Sequence, residues 1–420
     1  MNSNFKVLII GSVWPEPVSS GAGLRMMELI SLFQKQQWTV VFASTAADSE
    51  YMSDLDSLSV QRQAIAVNDS SFDLFVGALQ PDIVLFDRFT MEEQFGWRVE
   101  KQCPAAMRII ETIDLHCLRQ ARHQQFKRQP EVVVDVQQSD LYNGIAVREI
   151  AAMHRSDLSL LVSDTEMELL QTRFSISPDI IHLCPFMFEP QQLHKTTSSF
   201  EARTHFISIG NFRHAPNWDA VLWLKQQIWP LIRLRLPEAL LHVYGAYAPP
   251  KAWALHEPAA GFHVLGRAED VDDVMQQARV CLAPLRFGAG IKTKLADAMR
   301  NGTPNVTTSV GVEGMRGDLP WAGAVADDAS VFADAAISLY MHTTTWQQAQ
   351  QHGFDILHSL FDAQTNGDAL IDRIIRIKQN LTEHRQQHFT GLMLKHHYQR
   401  SSEFMSRWIE AKNALAKQTD

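Results

Sequence analysis

Phe287-Gly288-Ala289-Gly290-Ile291-Lys292-Thr293-Lys294-Leu295, running on through Asp297-Ala298-Met299 to Gly302-Thr303-Pro304, decides how this chain is read. The apolar run 280–285 before it predicts a buried strand, 293–300 a short amphipathic helix, and Gly-Thr-Pro a stop. Small residues let backbone N–H groups approach a ligand, and the following helix turns its positive end the same way. With Lys292 and Lys294 added, the local field favours an anion, foremost a phosphate or diphosphate. Asp297 falls about one and a half helical turns beyond Lys292, placed to accept from sugar hydroxyls. An anion loop backed by a hydroxyl-binding carboxylate points to a nucleotide-linked substrate.

Outward from this loop, short apolar runs alternate with amphipathic segments, the pattern of parallel strands covered by helices on both faces. In the first half strands are expected at 6–11, 39–43, 83–87, 107–112 and 158–162, with helices at 24–36, 92–101 and 165–174. A Pro-, Gln-, Thr- and Ser-rich stretch, 185–198, reads as a linker. Beyond it strands are expected at 205–209, 240–244, 262–265, 280–285 and 305–308, with helices at 217–235, 271–277, 293–300 and 329–342. At 420 residues the chain exceeds what one core ordinarily supports. The expected division is 1–188, 200–365 and a helical extension, 366–420: an α/β protein of two doubly wound, Rossmann-like domains facing a cleft. Ligands in such an arrangement lie at the carboxyl ends of the strands. The segment 347–380 either stays with the second domain or packs back across the hinge.

Composition narrows the class. Hydrophobic residues make up 45% and charged residues 20%, which is globular. A net charge of -9 argues against nucleic acid as the main partner. Cys103, Cys117, Cys184 and Cys281 are scattered without a C-x-x-C pair, as free thiols in a reducing cytoplasm would be. No apolar run reaches membrane-span length, and Met1 to Lys6 leads straight into a strand without a signal peptide. The expected location is the cytoplasm. The stretch 383–400, rich in His and Arg with an apolar patch at Phe389, Leu392, Met393 and Leu394, is expected to lie against the protein body; the other reading is peripheral contact with an anionic inner membrane face. His384 and His388 are four apart but lack the glutamate of H-E-x-x-H, so no metal site is expected.

Other candidates sit where strands should end. The loop after Gly11 closes with Ser19-Ser20-Gly21-Ala22-Gly23; it is not a G-x-G-x-x-G fingerprint, and it reads either as a connector or as a glycine loop aiming amides, Gly23 among them, at the cleft. Asp114 and His116 leave the fourth strand as candidates for orienting a substrate hydroxyl, while Arg122 reads as solvated or salt-bridged. Asn211 and Arg213 follow the next domain's first strand, with Asn217 as a helix N-cap and Arg213 suited to a bidentate phosphate contact. Tyr244 offers a flat surface to a base. Glu313 and Gly314 are placed to meet a sugar or phosphate. No Ser-His-Asp set, Walker loop or close carboxylate pair stands out.

The ordered set Ile209-Gly210-Asn211-Phe212-Arg213, Tyr244-Gly245, Gly266, Gly288-Ala289-Gly290-Ile291-Lys292, Lys294-Leu295, Asp297-Ala298-Met299, Gly302-Thr303-Pro304 and Gly311-Val312-Glu313-Gly314 resembles the family 4 glycosyltransferases, the group 1 sugar transferases of GT-B fold. The likeness covers roughly 206–315; in the first half only Asp114-Leu115-His116 and Ser163-Asp164-Thr165-Glu166 fit. The resemblance implies a nucleoside diphosphate sugar donor, no cofactor and no metal, and transfer to a hydroxyl acceptor (a lipid-linked glycan, a glycan or a protein) with retained configuration. It gives Arg213 and Lys292 the diphosphate, Asp297 the ribose and His116 the donor sugar. Gly23, Asn211, Tyr244, Gly288, Gly290, Ile291, Glu313 and Gly314 complete the expected donor site. The chain departs from the family where two glutamates eight apart are usual, at Ala289 and Asp297; backbone amides of Gly290 and Ile291 are the substitutes at hand. Two other functions fit the same architecture: a nucleotide-sugar epimerase and a non-catalytic sugar-nucleotide-binding protein.

Overall fold

The continuous apolar runs fold as strands covered on both faces. In a computed structural model that describes residues 4–130, 134, 136, 138–193 and 197–419, Val7 and Ile9 face a layer containing Leu29, Phe33 and Ile374, while Leu8 and Ile10 face Phe72, Phe86 and Phe95. Period-two alternation with both sides apolar leaves no wet face, so helices must cover each.

Among the described residues the first sheet has seven strands: β1 (Lys6–Gly11), β2 (Thr39–Ser44), β3 (Gln61–Ala64), β4 (Ile83–Asp87), β5 (Met107–Glu111), β6 (Leu158–Leu161) and β7 (Ile181–Leu183). They are all parallel, in the order β3-β2-β1-β4-β5-β6-β7. The second sheet has six parallel strands: β8 (His205–Ile209), β9 (Leu241–Tyr244), β10 (Phe262–Gly266), β11 (Ala278–Ala283), β12 (Asn305–Thr307) and β13 (Gly323–Val325), ordered β10-β9-β8-β11-β12-β13. The three strands not anticipated, β3, β7 and β13, are short edge or near-edge pieces. The sequence Gln-Arg-Gln-Ala of β3 carries no apolar run to betray it.

The expected helix at 217–235 begins earlier, at Ala215–Trp223 with Pro216 in its first turn, and makes a π-turn at Leu224–Ile228 before Trp229–Arg235. Pro230 opens that last segment and has no N–H to give, which the wider turn accommodates. His214, not Asn217, holds the N-cap position.

Two crossings join the domains. Part of the expected linker, 194–196, lies outside the described residues. The chain passes outward near Phe188 and returns near Asp362, and these segments are hydrogen-bonded to each other: Phe188 N–H donates to the Phe361 carbonyl at 2.8 Å and Ala363 N–H to the Phe188 carbonyl at 3.1 Å. Helix Thr343–Leu360 stays with the second domain, burying Trp346, Ile356 and Leu357 there. Helix Ala363–Gln379 packs Leu370, Ile371, Ile374 and Ile377 into the core of the first. Of the segment 366–420, expected as an extension of its own, the described residues 366–419 pack on the first domain. Its apolar stripe needed a partner, and the open face beneath β1 supplies it. The last helix, Phe389–Thr419, lies along helices Phe89–Gln102 and Gly144–Arg155.

Candidate active site

The carboxyl ends of both sheets face one cleft of about 480 Å³. The first domain contributes 17–22 after β1, Arg88 after β4, and Ile113, Asp114 and Arg119 after β5. From the second come the turns after β8, β9 and β10 and the loop 285–294 after β11. Of the residues expected at a site, Asn211, Arg213, Gly288, Ile291, Lys292 and Asp297 line this cleft.

The glycine loop is bent by need. Gly288 and Gly290 hold φ of +148° and +64°, conformations that side chains rarely adopt. A Cβ on Gly290 would come within 2.8 Å of Asp114 Cβ and 2.9 Å of the Ile113 carbonyl oxygen, so the loop presses on the other domain. Opposite it, Arg88 and Ile113 hold φ of 71° and 64°. Ile113 is β-branched, and left-handed backbone at such a residue is held only by its surroundings.

Of the loop's lysines, Lys292 is buried and Lys294 half-buried. The Lys292 ammonium is folded back on the Gly290 carbonyl, and burial pulls its pKa below the usual lysine range. Lys294 donates to Asn217 Oδ1 at 2.7 Å, and burial lowers it to about 8. Gly210 makes room for it, since a Cβ there would meet Lys294 Nζ at 2.6 Å. These two cations make the floor of the cleft electropositive, while the Gly290 and Lys292 amides are already taken by Glu166 Oε1 and Met315 Sδ. Asp297 sits on the cleft wall with Arg300 Nη2 3.0 Å from its Oδ1. Arg213 is exposed at the rim, its guanidinium 3.6 Å above the Tyr247 ring.

His116 is behind the wall. Its ring stands 5.4 Å from that of Phe89, with Nε2 3.5 Å from Asp114 Oδ1. Burial, ahead of the opposing pull of Asp114, lowers it to about 4, so the imidazole is neutral near pH 7. Asp114 itself lines the cleft and is paired with Arg119 at 2.5 Å. His214, solvent-exposed at the rim, lines it too. It went unnoticed in the sequence because nothing there sets it apart from the loop around it.

Five expected donor contacts lie off the cleft wall. Glu313 is taken by Arg122 in a two-pronged pair at 2.6 and 2.7 Å, and the same guanidinium donates to the Gly288 carbonyl at 2.9 Å. Gly314 is pressed against Ser163, whose Oγ would be 2.2 Å from an added Cβ. Gly23 is inside helix Gly21–Lys35, packed on the Glu16 backbone and donating to Ser20 Oγ at 3.1 Å. Tyr244 lies beside His242, and Gly245 and Ala246 line the cleft instead. Gly290 is off the wall as well: its N–H donates to Glu166 Oε1 at 2.6 Å.

Glu166, which the sequence marked only as the end of Ser163-Asp164-Thr165-Glu166 and without a role, is the carboxylate that holds the glycine loop. It is buried, accepts also from Leu115 N–H at 3.3 Å, and is raised to about 7 by burial and then by Asp114. Ser163-Asp164-Thr165-Glu166 spells a capping box, in which the glutamate would reach back to its own helix start. Here the carboxylate reaches across to the opposite domain.

Known proteins can now be set beside this geometry. Residues 203–342 match the family described as Glycosyl transferases group 1. A protein of Klebsiella pneumoniae described as an uncharacterised 44.6 kDa protein in the cps region is 21% identical over 215 residues, half of this chain and 53% of that protein; the chain thus spans about half the length of this curated relative. Among solved structures, a glycosyltransferase of Rickettsia africae superposes with a TM-score of 0.64 at 11% identity, covering 88% of this chain and 97% of that one. HepE of Anabaena in complex with UDP-glucose gives 0.65 at 11%, covering 89% and 100%. WaaG, a glycosyltransferase involved in lipopolysaccharide biosynthesis, gives 0.60 at 12%, covering 87% and 98%. The fold is that of the GT-B glycosyltransferases, with a helical C-terminal segment. The group 1 family match lies in the second domain, the one that supplies the glycine loop.

Proposed function

We propose that this protein is a retaining, metal-independent glycosyltransferase of family 4 type. It moves a sugar from a nucleoside diphosphate sugar to a hydroxyl acceptor, in the making of a surface polysaccharide or another glycoconjugate. The observation that carries this reading is the floor of the cleft: the buried Lys292 and half-buried Lys294, with Gly288 beside them, at the start of helix Thr293–Arg300. Pre-set positive charge in a shielded site stabilises a departing diphosphate without needing to reorganise. In this reading Lys292 and Arg213 hold the diphosphate, Asp297 takes the ribose, and Asp114 with Arg119 faces the sugar. His116 acts from behind Asp114. The group 1 match, a neighbour solved with UDP-glucose, another involved in lipopolysaccharide biosynthesis and a relative in a cps region all favour it.

A thermal-shift screen of nucleoside diphosphate sugars tests it, since a ligand that binds only the folded state raises the melting temperature. Stabilisation by at least one donor, lost in Lys292→Ala, is expected. Donor conversion without an acceptor would instead indicate an epimerase, and binding without any turnover a non-catalytic protein.

A further inference from the structure

Arg88 is the most strained residue in the wall of the cleft. It follows β4 with φ 71° and ψ 161°, a region of backbone that glycine alone occupies at ease. It holds the N-cap position of helix Phe89–Gln102, yet its side chain makes no capping bond. The guanidinium goes elsewhere: Nη1 donates to Ser12 Oγ at 2.9 Å and lies 3.4 Å from Asp87 Oδ2. Its Nε and Nη2 take no partner among the described residues. Arg119, on the same wall, is committed in the same partial way, with Nη1 on Asp114 Oδ2 and its other nitrogens open. Asp114 is buried, and its Oδ1 has no hydrogen bond; neither has Nε2 of His116, 3.5 Å away. Unbonded buried polar atoms are few in folded proteins, and each calls for a reason.

We propose that Arg88, with Asp114, reads the hydroxyls of a neutral saccharide, and that this saccharide is the acceptor. That it is an acceptor rests on the transferase reading; that it is a saccharide follows from the wall itself. Floor and wall differ in charge. Lys292 and Lys294 leave the floor positive, as a phosphate requires, whereas on the wall Arg88 and Arg119 are matched by Asp87 and Asp114. A lipid phosphate placed there would bring its charge against two carboxylates. A lone serine or threonine hydroxyl would satisfy one open group and leave the others stripped of water. A sugar ring carries several hydroxyls, each able to donate to a carboxylate oxygen and to accept from a guanidinium N–H. Position agrees with chemistry. In the sheet β4 lies between β1 and β5, and the domains touch on either side of it: a Cβ on Gly21 would meet Thr293 at 2.7 Å, and one on Gly290 would meet Asp114 at 2.8 Å. Arg88 therefore stands at the middle of the wall, in the same cleft as the lysines. A glycine at 88 would hold this backbone without strain, so the arginine is there for its side chain.

Saturation-transfer NMR on the full chain in the presence of UDP tests this. The ligands offered are the methyl glycosides of glucose, galactose and mannose, farnesyl phosphate, and a short peptide containing serine and threonine. Transfer to the ring protons of at least one glycoside, and not to the phosphate or the peptide, is expected. In Arg88→Ala the Kd of that glycoside should rise by about tenfold or more, the loss of a charged hydrogen bond. Should Arg88→Ala not fold, Arg88→Gly, which suits the backbone at this position, gives the same reading. Stabilisation by UDP, followed by thermal shift on the same samples, should be equal in variant and unaltered chain. Glycoside binding that depends on Arg88 without any effect of UDP would sink the transferase reading and leave the saccharide site standing. The proposal is overturned if no glycoside binds, or if the variants bind it as well as the unaltered chain does. It is equally overturned if farnesyl phosphate binds in a manner that Arg88→Ala abolishes, because the wall then takes an anion.

Discussion

At one lip of the cleft, Arg122 forks onto Glu313 and the Gly288 carbonyl while Glu166 holds the Gly290 amide, and His123 and Phe126 stack on Phe287 at 4.7 and 4.9 Å. At the other, half-buried lip, Glu16 accepts from the Tyr247 hydroxyl at 3.0 Å, Asn211 donates to the Ser19 carbonyl at 3.3 Å, and Tyr51 meets Tyr247 edge to face at 5.7 Å. A two-pronged arginine–carboxylate contact fixes direction as well as distance, which the single bonds of the second lip, the one to the Glu16 carboxylate included, do not. The first lip therefore sets the geometry of the glycine loop. The second closes the cleft with contacts that water and a ligand can replace.

The heaviest blow to this contrast is Lys292→Ala, which removes the charge that the firm lip positions. Turnover should fall by about 10² to 10³, or roughly 3–4 kcal/mol of transition-state stabilisation, with the melting temperature little lowered. Initial rates with the donor identified by thermal shift measure it. Next is Arg122→Ala, which leaves Glu313 unpartnered by its fork. A loss of about 2–3 kcal/mol in denaturant unfolding is expected, and Arg122→Lys should recover less than half of it, because a point charge cannot span both oxygens.

Acidity sharpens the comparison further. Burial holds Lys294 at about 8, whereas an unfolded lysine titrates near 10.4. Between these values the unfolded chain binds the extra proton, so the ligand-free protein gains stability as pH rises from about 8 to about 10. A bound diphosphate favours the charged ammonium and reverses the shift, so donor affinity should be greatest below pH 8 and fall by about tenfold above it. Calorimetry in buffers of different ionisation heat would register proton uptake on binding in that window. Lightest of all is Tyr247→Phe at the yielding lip: about 0.5–1 kcal/mol in stability, and a change in KM larger than that in kcat.

How far the sequence revealed this site follows from where each group's task is written. The second-domain wall was legible because its loop is written locally, in consecutive small residues and lysines before a helix. Asp114 was marked by its place at a strand end. Glu166 and Arg122 act on the loop from 124 and 166 positions away, and no local pattern announces a contact of that kind. Glu313 was misplaced for the same reason, since its carboxylate looked available until the first domain's arginine came into view. The polar strand β3 and the return of helix Ala363–Gln379 to the first core were likewise decided by tertiary packing.

The paired crossings at Phe188 and Phe361–Ala363 act like the spine of a book. A single tether would let one half swivel under the other, but two bonded side by side permit bending about one axis only. Whatever fills the cleft must then enter from the side opposite the spine, and each bending motion returns the pages to the same alignment.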